Sequence, residues 1–261
     1  AEMLQTHKAP AAKYFTMTSN ILNNKRVKEK EAIIWYLGHS GWAIKTQNHL
    51  LIFDYFEHPT RALPKDASLA SGYILPSEIK KENVVVFVSH GHADHFDPRI
   101  FEWRSEILDI DYVLGFRPGD IDQGYTYTAP RSEQEIGDIR IHAMWSNDAG
   151  VGYLIEVDGL TILHPGDHAN GSIDMSGDYT PEIDALAAMN KNIDLAFFAI
   201  LGCSLGTPES VQLGVHYAIE HLNPRVLFPM HAGHASYMYR EFVEAAADRN
   251  YDTQLAYALN E

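Results

Sequence analysis

A run of β-branched residues that leads directly into a histidine cluster constrains this chain more than any other feature. Residues 84–88 read Val-Val-Val-Phe-Val, which predicts a strand buried on both faces. The chain continues with Ser89-His90-Gly91-His92-Ala93-Asp94-His95. Because sites in layered α/β proteins lie at the carboxyl ends of such strands, we expect a functional site here.

The spacing of this cluster is typical of metal ligands. On an extended stretch His90 and His92 point to the same side, so both can bind one ion. Asp94 and His95 follow a turn and can bind a second ion nearby. Imidazole and carboxylate donors suit zinc, manganese or iron. We therefore expect one or two zinc ions, with manganese and iron as alternatives.

The rest of the chain alternates short strands with helices. Asp158-Gly159 predicts a type I′ turn, and Thr207-Pro208 predicts the start of a helix. Strands are predicted at residues 32–37, 42–45, 50–53, 84–88, 111–116, 125–129, 138–145, 153–157, 160–163, 193–200 and 225–228. Helices are predicted at residues 98–108, 181–190, 207–222 and 237–249. This order predicts an α/β (α+β) protein with sheets between helices.

We divide the 261 residues into an N-terminal extension, residues 1–31, and one catalytic domain, residues 32–261. The extension is polar and aperiodic and begins at Ala1. This fits a precursor whose signal peptide has been removed, although a chain trimmed during cloning would look the same. We therefore expect an exported protein, periplasmic or secreted, rather than a cytoplasmic one. Residues 57–80 and 170–180 read as loops that shape substrate specificity.

The charge and the composition limit the classes of molecule that this chain is expected to bind. The net charge of −15 disfavours nucleic acid, whose phosphates such a surface repels. No run of about 18 apolar residues is present, so we expect no membrane span. Cys203 is the single cysteine, which excludes an internal disulfide and a thiolate zinc cluster, and we interpret it as a packing residue. A small-molecule substrate is expected, and the oligomeric state is left open.

The pattern His-x-His-x-Asp-His at residues 90–95 resembles that of the metallo-β-lactamase superfamily. Three further segments agree with the resemblance, which covers roughly residues 32–235: residues 37–41 with 52–54, His164-Pro165-Gly166-Asp167, and Phe228-Pro229-Met230-His231. Within the superfamily the chain is most similar to the branch that contains ascorbate-6-phosphate lactonase. The resemblance implies a four-layer αββα sandwich.

The resemblance also implies roles for individual residues. The first metal is expected at His90 and His92, the second at Asp94, His95 and His231, with Asp167 as the bridge between the two ions. Asp94 and Asp167 are the expected catalytic residues.

Four further residues are expected close to the metals. Asp54 would orient a ligand imidazole by accepting a hydrogen bond from its other ring nitrogen. His39 could also face the site, although a histidine with a purely structural role in a tight turn is an equal alternative. His168 and His234 are candidate substrate contacts, and exposed loop histidines are the alternative for each.

One departure from the family pattern concerns the first metal. The family supplies a third histidine there, whereas the corresponding residues 144–150 read Met-Trp-Ser-Asn-Asp-Ala-Gly. Asp148 is the expected oxygen substitute and Ser146 a weaker one. His142 lies in the preceding strand, and its direction is left open.

These residues predict a metal-dependent hydrolase. A metal-bound hydroxide would attack a small ester, lactone, amide or phosphodiester, with lactonase or phosphodiesterase activity favoured by the resemblance alone. One alternative is an iron-dependent redox enzyme of the same fold. The other is a non-catalytic metal-binding module whose first site has degenerated, and the missing histidine is its only support.

Overall fold

In the computed structural model the chain forms two β-sheets that pack face to face. The structure describes residues 5–6, 26–57, 63–121, 124–202 and 204–258. The strands of the first sheet are β2 (Ile33–Gly38), β3 (Gly41–Lys45), β4 (Leu50–Phe53), β5 (Val84–Val88), β6 (Ile110–Leu114) and β7 (Thr126–Tyr127), in that spatial order.

The second sheet contains the strands β1 (Gln5–Thr6), β8 (Glu133–Ile136), β9 (Ile139–Trp145), β10 (Val151–Val157), β11 (Leu160–His164), β12 (Leu195–Ala199), β13 (Val226–Met230) and β14 (Gln254–Tyr257). Their spatial order is β1-β14-β13-β12-β11-β10-β9-β8. Strands β11 to β14 run parallel to one another, as do β4 to β7 in the first sheet. Parallel strands end at the same edge, so their last residues are brought together.

Helices cover the outer faces of both sheets. The α-helices are α1 (Pro76–Ile79), α2 (Tyr179–Ala188), α3 (Pro208–Leu222) and α4 (Tyr237–Ala246), and 3-10 helices occur at Leu69–Ser71, Pro98–Ser105 and Ala247–Arg249. The mixed α/β sandwich with two mixed sheets confirms the predicted fold class.

The core lies on both sides of strand β5. Val85 and Phe87 belong to the large apolar cluster between the sheets, whereas Val84, Val86 and Val88 pack in the smaller cluster under the short outer helices. All five residues are buried, which confirms the prediction of a strand covered on both faces.

Local signals explain several element boundaries. Asp158 and Gly159 have φ angles of 49° and 77°, as a type I′ turn requires. The Thr207 side chain caps α3 by accepting from the Ser210 N–H, and Asn223 ends the helix with a φ of 43°.

One predicted helix is of a different type. Residues 98–108 are predicted to be helical, and the helix observed at Pro98–Ser105 is of the 3-10 type and ends three residues earlier. The Tyr112 hydroxyl of β6 donates to the Ile100 carbonyl at 2.6 Å, an acceptor that an α-helix would use internally. The sequence patterns also missed β8 and β14, which are short edge-region strands.

Part of the predicted N-terminal extension packs on the domain. Val27 is buried, and the Lys30 N–H donates to the Asp158 carbonyl at 3.0 Å. Residues 1–4 and 7–25 lie outside the described residues, as does Cys203. Among the residues that are described, no helix combines the length and the apolar character that crossing a bilayer requires.

The two sheets meet closely at the end of β5. The Ser89 carbonyl accepts a hydrogen bond from the Val151 N–H of the opposite sheet at 3.1 Å, and the Tyr153 hydroxyl donates to the Val88 carbonyl at 2.9 Å. A Cβ atom on Gly150 would overlap the Ser89 carbonyl oxygen and lie 2.9 Å from the His90 Cβ. Glycine is therefore required beside the strand end that carries the histidine cluster.

We expect Gly150→Ala to lower the free energy of unfolding by roughly 3 kcal/mol, because overpacking adds to the left-handed backbone strain. Gly137→Ala is the matched control. Its φ of 57° is close to the 60° of Gly150, but its Cβ would meet no atom within 4 Å. That control should lose only about 1 kcal/mol in urea unfolding. Equal losses in the two variants would show that the close approach to Ser89 carries no energetic weight.

Candidate metal centre

Six segments of the chain converge at one edge of the sandwich. The residues that meet there are His39 in the β2–β3 turn, Asp54 after β4, residues 90–95 after β5, Asp148 between β9 and β10, Asp167 after β11, and His231 after β13. The parallel strands β4 and β5 of the first sheet and β11 and β13 of the second account for most of them. The topology thus brings together donors that are far apart in the sequence.

The first donor group consists of His90, His92 and Asp148. His90 Nε2 lies 3.0 Å from His92 Nδ1 and 3.6 Å from Asp148 Oδ2, and His92 Nδ1 lies 3.3 Å from the same oxygen. Bonds of about 2.0–2.1 Å place neighbouring ligand atoms of tetrahedral zinc roughly 3.3 Å apart. The three atoms are therefore spaced as ligands of one ion.

Asp148 thus lies where the sequence predicted a substitute for the missing third histidine. His142 does not fill that position, because its Nδ1 lies 3.4 Å from Glu133 Oε1 on the neighbouring strand β8. The first group is two imidazoles and a carboxylate.

The second donor group consists of Asp94, His95 and His231, and Asp167 lies beside it. Asp167 Oδ2 lies 2.9 Å from His231 Nε2, 3.1 Å from His95 Nε2 and 3.9 Å from His90 Nε2 of the first group. Donor atoms of His39, Asp94, His95 and His231 all lie within 4.8 Å of one another. Asp167 therefore stands between the two groups.

Asp54 orients two of the histidines. Its carboxylate is buried and accepts a 2.7 Å hydrogen bond from His95 Nδ1, which directs His95 Nε2 into the centre. It also accepts from the Ser89 hydroxyl at 2.7 Å, and Ser89 Oγ lies 2.9 Å from His90 Nδ1. With the serine proton directed to Asp54, the serine oxygen accepts from His90 Nδ1, so His90 Nε2 presents its lone pair.

Backbone carbonyls hold two further histidines of the region. His231 Nδ1 donates to the Leu201 carbonyl at 2.7 Å, so that its Nε2 faces Asp167. His164 is fully buried, with its Nε2 2.9 Å from the Ser40 carbonyl and its ring stacked on Phe53. The sequence patterns did not single out Ser89 or His164. The sequence signal for Ser89 was its position directly before His90. The signal for His164 was its position at the start of the His164–Asp167 segment.

The electrostatics keep the carboxylates charged. Burial raises the pKa of Asp167, but the contacts with His231 and His95 lower it by a larger amount. Its net pKa therefore lies well below the usual value. The contact with His39 lowers the pKa of Asp94. Burial lowers the pKa of His95, but Asp54 and Asp167 raise it more, and the net pKa lies well above the usual value. The centre therefore combines charged carboxylate oxygens with ring nitrogens, and most of these groups are buried.

The donor set fits a metal ion. Among the described residues, His95 Nε2, Asp148 Oδ2 and Asp167 Oδ1 are buried without a hydrogen-bond partner. Each such atom costs about 1–3 kcal/mol unless something else compensates it. Nitrogen and oxygen donors at these spacings are what zinc, manganese and iron bind.

The comparisons with known proteins identify the family to which this fold belongs. A family model described as a beta-lactamase superfamily domain matches residues 33–231. The chain belongs to the metallo-β-lactamase superfamily. It is 25% identical over 214 residues to a UPF0173 metal-dependent hydrolase of Thermococcus kodakarensis, a match that covers 75% of this chain and 82% of the relative.

Solved structures of the same fold support the assignment of architecture. Igni18, a metallo hydrolase from Ignicoccus hospitalis, superposes with a TM-score of 0.57 at 18% identity, covering 85% of this chain and 92% of that one. CmlA, a diiron β-hydroxylase from Streptomyces venezuelae, gives a TM-score of 0.57 at 13% identity, covering 88% of this chain and 53% of that one. The protein thus has the metallo-β-lactamase fold, and it carries candidate His/Asp metal-binding groups.

The structure gives His168 a different place from the one predicted. This histidine was a candidate substrate contact, but its ring is buried and stacked on Tyr179. Its Nε2 lies 3.1 Å from the Tyr179 carbonyl, and its Nδ1 accepts from the Asn147 N–H at 3.2 Å. Both ring nitrogens are used, so His168 holds the loop that carries Asp148. His234 is exposed after β13, and its role as a substrate contact stays a prediction.

The first donor group predicts a defined metal stoichiometry. Zinc-reconstituted wild type should bind two equivalents by inductively coupled plasma mass spectrometry, and Asp148→Ala about one, because the first group then retains only its two histidines. Asp111→Ala, which removes an exposed carboxylate of β6, is the matched control and should bind two. Two equivalents in Asp148→Ala would show that Asp148 is not a ligand.

The buried ring of His168 predicts a pH-dependent stability. Burial lowers its pKa to about 4. An unfolded histidine has a pKa of about 6.5, so the stability contributed by the neutral ring is lost as pH falls from about 6.5 towards 4. In His168→Gln, unfolding of the metal-free protein should lose less stability over this range, by roughly 2–3 kcal/mol.

His142→Gln, which replaces a half-buried histidine of β9, is the control for that measurement and should follow wild type. An unchanged slope in His168→Gln together with a raised KM would instead support a substrate contact.

Proposed function

We propose that this metal-dependent hydrolase cleaves a small ester, lactone, amide or phosphodiester at a two-ion centre, with zinc as the first metal to test. The observation that carries the proposal is the position of Asp167 Oδ2, which lies 2.9–3.9 Å from donor nitrogens of both groups. Lactones and phosphodiesters come first among the substrates because of the resemblance to the ascorbate-6-phosphate lactonase branch.

In this proposal each group of residues would hold one ion. His90, His92 and Asp148 would hold the first, Asp94, His95 and His231 would hold the second, and Asp167 would serve both. A bound divalent cation lowers the pKa of a coordinated water from about 15.7 towards 7 and polarises a carbonyl or phosphoryl oxygen.

Asp94 is the residue of this set best placed to handle a proton. Its side chain is 39% exposed, whereas the Asp167 side chain is 5% exposed. Contact with His39 lowers the pKa of Asp94, so it is a carboxylate at neutral pH and can accept a hydrogen bond from the attacking water. Asp167 is enclosed by histidines and serves to fix the spacing of the two groups.

A second candidate function is oxidative chemistry with iron. The specific observation in its favour is the composition of the first group, because two histidines and one carboxylate are the ligand set of many non-haem iron oxygenases. CmlA shows that a diiron β-hydroxylase can have this fold. Hydrolysis remains the first proposal because the curated relatives are named metal-dependent hydrolases.

One observation argues against the non-catalytic alternative. The absence of a third histidine from the first group is its only support, and Asp148 Oδ2 lies within 3.6 Å of the donor atoms of both His90 and His92. A complete set of three donors argues for a functional first group.

The test is hydrolysis by protein loaded separately with zinc, manganese or iron, using a nitrophenyl ester, a simple lactone and bis(4-nitrophenyl) phosphate. With the best substrate, Asp94→Asn should lower kcat by about 10²–10⁴-fold, because a positioned proton acceptor is worth that much. Asp111→Asn is the control and should retain wild-type kcat.

Two outcomes would count against hydrolysis. Equal kcat values for Asp94→Asn and wild type would mean that the observed activity does not use this centre. Turnover of none of the three substrates, with oxygen consumption by the iron-loaded protein, would favour the oxidative candidate instead.

A further inference from the structure

The turn between β2 and β3 places a histidine against the second donor group. His39 has a φ of 50°, a left-handed conformation that few residues other than glycine adopt. Its carbonyl accepts from the His231 N–H at 3.1 Å and lies within 3.5 Å of the Tyr36 and Tyr239 hydroxyls. The backbone of His39 is therefore held in this conformation from several sides.

The side chain of His39 points at the second group. Its Nε2 lies 3.2 Å from Asp94 Oδ2, and its ring centroid lies 4.1 Å from that of His231 and 5.4 Å from that of His95. Nε2 is buried, yet no hydrogen bond to it is formed within the described part of the chain. The contact with Asp94 is thus close but poorly directed for a hydrogen bond.

Two donor atoms that lie close together without pointing at each other are expected when both are ligands of one ion. In a tetrahedral or similar site, neighbouring ligand atoms lie roughly 3.3 Å apart with both lone pairs directed at the metal rather than at each other. The donor atoms of His39, Asp94, His95 and His231 lie within 4.8 Å of one another. An ion can therefore be reached by all four.

We propose that His39 is a direct ligand of the second metal ion, together with Asp94, His95, His231 and Asp167. This inference rests on the proposed function only in requiring an ion at the second group. A fifth ligand makes the two sites unequal, because five protein donors would then bind the second ion and four the first. The second site should therefore have the higher metal affinity, and the first site should have more coordination positions open to water or substrate.

The test uses a protein with only the second site intact. Metal-free His92→Ala is titrated with Co²⁺, and both the dissociation constant and the visible absorption of the bound ion are recorded. His39→Asn and His39→Gly are then introduced separately into this background. Asparagine and glycine both adopt a φ near 50°, so the turn is preserved while the imidazole is removed.

Both variants should bind Co²⁺ at least about 10-fold more weakly. Their absorption should change in intensity and position, because the coordination number falls by one. His142→Asn in the same background removes a histidine that contacts Glu133 and should change neither quantity.

Three results would overturn the inference. Unchanged affinity and absorption would show that His39 is not involved, and weaker binding with unchanged absorption would show that it only positions Asp94. Neither result touches the proposed function, since the second site still binds metal. Failure of both wild type and His92→Ala to bind any Co²⁺ would overturn the proposed function and the role of His39 together.

Discussion

The buried carboxylate of Asp54 is the interaction on which the rest of the centre depends. It accepts three hydrogen bonds of 2.7 Å, from the Ser89 N–H, the Ser89 hydroxyl and His95 Nδ1. A buried charge without such partners would cost several kcal/mol, so these donors are held firmly in place. Through them one side chain at the end of β4 fixes the end of β5, the direction of His95 and, through Ser89, the direction of His90.

The two sheets also approach each other closely at this strand end. The Ser89 carbonyl accepts from Val151 of the second sheet, and only glycine fits at position 150. Asp148 is three residues before Val151, so the close approach of the sheets brings a carboxylate to the histidines of the first sheet. The strand pairing and the metal-donor geometry are therefore parts of one packing constraint.

The sequence predicted those parts of the structure that are encoded locally. The apolar run of β5, the Asp158-Gly159 turn and the start of α3 need only neighbouring residues to be recognised, and the histidine spacing after β5 is equally local. The role of Ser89 and the enclosure of His168 could not be predicted, because their partners Asp54 and Tyr179 come from other elements. The 3-10 type of the helix at Pro98–Ser105 could not be predicted, because the contact of Tyr112 in β6 with the Ile100 carbonyl does not show in the periodicity.

The carboxylate of Asp148 also changes the charge of the centre. With two divalent ions bound, the carboxylates of Asp54, Asp94, Asp148 and Asp167 leave no net charge, whereas a neutral histidine at position 148 would leave one positive charge. The chain as a whole carries a charge of −15, and salt screens attraction beyond about 8 Å. A polyanion would therefore be repelled by the surface and not attracted by the centre. A lactone or a phosphodiester carries at most one negative charge, so the surface repels it little and it needs no strong attraction from the centre. The residues themselves therefore give a reason to test these two classes first.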